Sequence, residues 1–168
     1  MPIPKKIVNF LQTSKVKHDF LEHKKVYTAF DKSKTLGLKP KFIAKSLALK
    51  LDNQLVLALI PANKNLDKNK FKEIFNVWCK KQGLKPAKKA DFATERLMKN
   101  RFKGVKLGVL PPFGNIFKCP TFAVKSLLGK DKIVFNSGDY RNSILIKGEY
   151  LYKLIPDLAI GNFAKSKA

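Results

Sequence analysis

Two periods of apolar residues run along this chain, and the changes between them mark its elements. Ile7, Phe10 and Leu11 recur at helical spacing behind Pro4, which predicts a helix from Pro4 to about Lys15. Asp19 to His23 reads as a short strand. Thr28 suits the N-cap of a second helix that stops near Gly37. Two apolar strands follow at about 42–51 and 54–61, and Asp52-Asn53 between them suits a tight hairpin turn. Asp67 starts a longer helix in which Phe71, Ile74, Phe75 and Trp78 form one stripe, ended by Gly83. A further helix is predicted from about Phe92 to Phe102, stopping at Gly104. The segment 105–120, with Gly108, Pro111, Pro112, Gly114 and Pro120, reads as loop. Short strands near 121–124, 132–137 and 142–147 precede a last helix that carries Leu151, Leu154 and Ile155 and stops at Pro156. Short strands dispersed among helices predict an α+β fold with a mixed sheet. With 168 residues and no repeat or linker, one domain over 1–168 is expected.

Within the first long strand, one residue breaks the pattern. Side chains alternate faces along a strand, so Lys45 shares a row with Ile43, Leu47, Leu49 and Leu51. An ammonium on a core-facing row is costly to desolvate. Taken alone, such a lysine snorkels to water along its stem. At the mouth of a pocket, the same group would attract an oxyanion or a phosphate.

Charge widens the picture. Lys and Arg number 35 against 12 Asp and Glu, a formal net charge of +23. That balance favours a polyanionic partner: RNA, DNA or an anionic surface. Nearly all the cations are Lys, with arginine only at 96, 101 and 141, so arginine-fork recognition of bases is not the theme. No apolar run approaches the ~18 residues of a membrane span, and the N-terminus lacks the apolar core of a secretory signal. A cytoplasmic protein without a membrane partner is expected, a monomer by default.

Most familiar catalytic devices are missing from the sequence. There is no GxSxG, P-loop or GxGxxG. Cys79 and Cys119 form no CxxC pair and read as buried thiols. His18 and His23, five apart near a strand, make a poor metal pair. No metal and no cofactor is expected. Two further segments stand out beside Lys45. Gly108-Val109-Leu110-Pro111-Pro112-Phe113-Gly114 combines close backbone approach with proline stiffness and could hold a polar ligand by its amides. Phe135-Asn136-Ser137-Gly138-Asp139 ends an apolar strand in a turn.

Together these segments resemble the YbaK/ProX family of aminoacyl-tRNA deacylases, relatives of the editing domain of bacterial prolyl-tRNA synthetase. Ile43-Ala44-Lys45-Ser46-Leu47 is similar to the family's IxKT/SL strand, and Gly108 to Pro112 to its GxxxP loop. Phe135-Asn136-Ser137-Gly138 is similar to the late strand and glycine turn of the same pocket, and Leu57 to Pro61 with Leu66-Asp67 to the second strand and its helix. Val124 departs from the pattern, standing where members often carry an acid. The resemblance implies a mixed, partly barrel-like sheet surrounded by helices. It implies hydrolysis of mischarged aminoacyl-tRNA in trans, with Ala- or Cys-tRNA(Pro) as the foremost substrates, and a substrate group in place of a protein nucleophile. Lys45 is then the expected catalytic residue. Ser46, Gly108, Val109, Leu110, Pro111, Pro112, Ser137 and Gly138 are the expected substrate-binding residues. The implied partners are the aminoacylated acceptor end of tRNA and, as a second candidate, an aminoacyl-tRNA synthetase. Two other readings use the same residues differently: a non-catalytic tRNA- or synthetase-binding module, and a general basic nucleic-acid-binding protein in which Lys45 is dispensable.

Overall fold

The computed structural model describes residues 3–167. The elements in chain order are α1 (Lys5–Ser14), β1 (Asp19–Glu22), α2 (Ala29–Leu36), β2 (Ala44–Leu51), β3 (Gln54–Pro61), β4 (Lys64–Leu66), α3 (Lys68–Gln82) and β5 (Ala90–Phe92). Then come α4 (Glu95–Arg101), β6 (Thr121–Val124), α5 (Lys125–Leu128), β7 (Ile133–Asn136), β8 (Asn142–Ile146), α6 (Leu151–Leu154), β9 (Ala159–Gly161) and β10 (Ala164–Ser166). The helix ends follow their capping chemistry. Thr28 Oγ1 accepts from Asp31 N, Asp67 Oδ1 accepts from Lys70 N, and Gly37 and Gly83 close α2 and α3 in the left-handed conformation. At the hairpin, Asp52 takes a positive φ of 53° and its carboxylate accepts from Lys88 N and Lys89 N.

Strands β5-β2-β3-β6-β9 form a mixed sheet in which β2 runs antiparallel to both neighbours, while β6 lies parallel to β3 and β9. A second, antiparallel sheet has the order β1-β8-β7, and β10 pairs with β4. The two larger sheets meet at one parallel bridge, Ile43 to Val134. The result is α+β with an open mixed sheet that does not close into a barrel. Both faces of the large sheet are buried. Ala44, Ala48, Leu57 and Leu59 pack with α1 and the second sheet, whereas Leu49, Leu51, Val56, Ala58 and Ile60 pack on Phe71, Phe75 and Cys79 of α3. Phe122 joins Phe71, Phe75 and Trp78 in an aromatic cluster with ring centroids 5.2–5.9 Å apart. Val124 is buried in this α3-side cluster.

Three sequence expectations need correction. The first long strand starts at Ala44, because Pro40–Phe42 form a 3-10 turn instead of extending it. The helix predicted from Phe92 starts only at Glu95: Phe92 pairs with Leu49 in β5, and Thr94 caps α4 by accepting from Leu97 N. Strands β4, β5, β9 and β10 were not predicted. Each has three residues, too few to show a period, and each is extended by its partner.

The loop after α4 is braced from below. Gly114 is buried and its N–H donates to Thr121 Oγ1 at 3.0 Å and to the Pro112 carbonyl at 3.1 Å. A Cβ on Gly114 would collide with Thr121 Oγ1 and the Cys119 carbonyl, both firmly placed. Gly114→Ala is therefore expected to destabilise the fold by about 2 kcal/mol or more, read as a lower urea midpoint at unchanged m-value.

Candidate functional site

Strand β2 has a gap in its outer edge. Along its inner edge it pairs with β3 over its full length. Along its outer edge, β7 reaches it at Ile43, and β5 covers only Leu49 to Leu51, extended by Ala93 N donating to the Ala48 carbonyl. Backbone groups alternate direction along a strand, so the peptide groups of Ser46 point out of the same edge as those of Ala48, with no strand across from them. Unpaired edge groups invite a partner. A pocket of about 270 Å³ opens here. Tyr27 to Ala29, β2 from Lys45 to Ala48, Phe92, Ala93, Met98, Gly108, Leu110 and Asn136 line it.

Four of the nine predicted site residues line this pocket: Lys45, Ser46, Gly108 and Leu110. Lys45 and Ser46 leave β2 on opposite faces. Lys45 is half-buried, and its ammonium donates to the Lys64 carbonyl of β4 at 2.9 Å. Burial lowers its pKa below the ordinary lysine value, and the Lys167 charge lowers it further. Ser46 Oγ is buried without a hydrogen-bond partner among the described residues.

Gly108 has φ of +84° and lies close to the Tyr27 carbonyl, where a side chain would be strained. Among the described residues, the Gly108 and Leu110 amides have no intramolecular acceptor, while Val109 N donates to the Lys106 carbonyl. Pro111 and Pro112 have no N–H to offer and are buried behind the loop, as is the Val109 side chain. Ser137 and Gly138 stand behind the pocket wall. Ser137 Oγ donates to the Asn142 carbonyl and accepts from Asp139 N. Gly138 zips its turn to the loop, donating to the Val109 carbonyl at 2.8 Å and accepting from Lys106 N at 3.0 Å. Asp139 strengthens the same joint. Burial alone would raise its pKa, but hydrogen bonds from Lys106, Arg141 N and Asn142 outweigh that and bring it down to about 2.

The aminoacyl-tRNA editing domain family matches residues 23–154, well over half of the chain. The chain belongs to this family. Solved structures show the same fold at low identity. A hypothetical protein is 18% identical with a TM-score of 0.79, covering 95% of this chain and 99% of its own. A protein described as a candidate trans-editing enzyme for prolyl-tRNA synthetase is 19% identical with a TM-score of 0.78, covering 99% of each chain. No curated protein matches the sequence. Among the described residues of this editing domain, no helix is long and apolar enough to cross a membrane.

The sequence reading gave no role to Tyr27, Phe92 or Lys32, and named Asn136 only as part of the late strand. Tyr27 and Phe92 are 56% and 52% exposed at its rim, with Lys25 and Lys68 ammonium groups 5.5 and 5.0 Å from their ring centroids. Tyr27 also packs against Tyr140, with ring centroids 4.7 Å apart and the planes tilted by 58°. Their signal was an aromatic residue off any core stripe, which becomes informative only once β2 and the loop stand beside it. Asn136 lines the pocket, and behind it Lys32 of α2 is buried, donating to Asn136 Oδ1. The spacing of Ala29, Lys32, Ser33 and Leu36 marks one helix face. A lysine on that inward face was a visible irregularity of the same kind as Lys45.

Burial pushes the Lys32 ammonium down to about 8. An unfolded lysine keeps its proton to about 10.4. Between those values the unfolded chain binds the extra proton, so stability rises with pH across this window. Wild type is therefore expected to gain stability on the order of 3 kcal/mol relative to Lys32→Met between pH 7 and 10.5. Paired urea titrations at several pH values measure the difference, and parallel curves for the two proteins refute it.

Proposed function

We propose that this chain, acting over residues 1–168 as a single editing domain, hydrolyses mischarged aminoacyl-tRNA in trans, with Ala- and Cys-tRNA(Pro) as the foremost substrates. The carrying observation is the gap in the β2 edge, where Lys45, Ser46 and the free amides of Gly108 and Leu110 meet in one pocket of about 270 Å³. That volume suits a small aminoacyl group. In the reaction, water adds to the ester carbonyl, the bond to the terminal ribose oxygen breaks, and that oxygen takes a proton. The products are a free amino acid and a tRNA with its terminal hydroxyl restored.

Lys45 supplies positive charge at the pocket edge. Its ammonium has donors left after the bond to the Lys64 carbonyl, for the terminal phosphate–ribose or the charge developing on the carbonyl. The Gly108 and Leu110 amides orient the aminoacyl carbonyl or amine. The pocket offers no protein nucleophile with an adjacent base, which fits a reaction on an activated ester driven by positioning and electrostatics. Outside the pocket, Tyr27 and Phe92 present faces on which terminal bases stack, flanked by Lys25 and Lys68 for the phosphates. The net charge of +23 draws tRNA to this surface. A synthetase that hands over the tRNA is a compatible partner, and the chain acts as a monomer in the cytoplasm.

A deacylation panel of Ala-tRNA(Pro), Cys-tRNA(Pro) and other aminoacyl-tRNAs tests this reading. Turnover is expected, and Lys45→Ala is expected to lower kcat/KM by about 10²-fold. Equal rates for the two proteins would remove Lys45 from the mechanism. Persistent tRNA binding without turnover of any substrate would instead establish a non-catalytic binding module. As a separate outcome, KM for the aminoacyl-tRNA should rise about tenfold between 50 and 200 mM salt, the change expected from two phosphate contacts. A KM indifferent to salt would mean that the lysine coat does not hold tRNA.

A further inference from the structure

Among the described residues, Lys32 and Asp139 are the buried charged ones, of opposite sign. Asp139 is paired with Lys106 at 2.8 Å, whereas Lys32 has no carboxylate partner among the described residues. Among the described residues its ammonium makes one hydrogen bond, to Asn136 Oδ1. Burying this ammonium carries a desolvation cost that no ion pair offsets, and what the cost secures is the bond to Asn136.

What the ammonium does is orient Asn136. A protonated lysine can only donate, so the carboxamide oxygen must face it. The carboxamide nitrogen then faces the other way, and Asn136 lines the pocket. Asn136 Nδ2 has no acceptor among the described residues. Ser46 Oγ, buried and unpartnered, lines the same pocket. The unspent Asn136 donor therefore has a buried positive charge behind it, and the Ser46 hydroxyl is unpartnered in the wall of the same pocket. A hydrogen bond from a buried ammonium polarises the amide it holds, which strengthens what that amide donates. The arrangement matches an oxygen atom that gains negative charge.

We propose that Lys32 is a positioning residue of the editing reaction: by holding Asn136 Oδ1 it aims the Asn136 amide into the pocket, at the ester carbonyl oxygen as that oxygen becomes an oxyanion. This rests on the deacylase reading above. Its consequence is a catalytic apparatus that spans three elements, α2, β2 and β7, in addition to the glycine loop. The lowered pKa of Lys32 arises from burial alone, with no neighbouring charge contributing, Lys45 at the pocket edge included. Charge behind Asn136 is thus lost as pH rises through about 8.

The test is single-turnover deacylation by wild type, Lys32→Met, Asn136→Ala and the double variant, with the uncatalysed ester hydrolysis subtracted at each pH. Lys32→Met is expected to lower the chemical rate about 10- to 100-fold at pH 7 with KM little changed, below the ~10²–10³ of deleting a whole oxyanion donor. The double variant should be no slower than Asn136→Ala, because Lys32 acts through Asn136. The wild-type to Lys32→Met rate ratio should shrink as pH rises past about 8, a comparison in which titration of the substrate's own amine cancels. Melting curves confirm that each variant is folded. Equal rates for wild type and Lys32→Met, a defect confined to KM, or a full additional loss in the double variant would each overturn the proposal while leaving the deacylase reading intact. A wild type that turns over no substrate overturns both.

Discussion

Everything at this site depends on how much of one strand edge is covered. β2 is held along its whole inner edge by β3, but its outer edge is taken by β7 only at Ile43 and by β5 only from Ala48 onward. In the uncovered stretch between them, backbone groups of the large sheet face the pocket. Full coverage would leave no pocket. Without any coverage, β2 would be an open edge prone to pairing with another chain. The second sheet and β5 together leave a slot in that edge, and Gly108 and Leu110 of the glycine–proline loop line it as well.

The walls of that slot are stiffened by bonds that take no part in chemistry. Gly138 exchanges hydrogen bonds with the loop at Lys106 and Val109, Asp139 anchors the same turn with a carboxylate held at low pKa, and Gly114 supports the loop from the core. Lys32 is the costly member of this frame. Its buried ammonium carries a desolvation cost near neutral pH that no carboxylate among the described residues offsets.

Much of the architecture was legible in the chain because its long elements carry full periods. The α3 stripe from Phe71 to Trp78, the Thr28 and Asp67 caps, the Asp52 turn and strands β6, β7 and β8 all appear close to their predicted places. The short strands were not legible, since three residues show no alternation and are extended only by their partners. That omission mattered most at β5, because the end of its pairing with β2 defines the slot.

For the site, sequence determined which residues were out of keeping with their local pattern. Lys45 on an apolar row and the Gly108–Pro112 loop were identifiable because desolvation and backbone stiffness are properties of the residues themselves, and their order along the chain carried the family likeness. Tertiary structure decided which of these groups share a space. It put Ser46, not Ser137, against the pocket with an unpaired hydroxyl, tied the Lys45 ammonium to the Lys64 carbonyl of β4, and brought Lys32 of α2 behind Asn136 of β7, 104 positions away in sequence. A strand's pleat can be read from its own residues, but which part of its edge stays uncovered depends on distant segments that pair with it, and only folding brings those together.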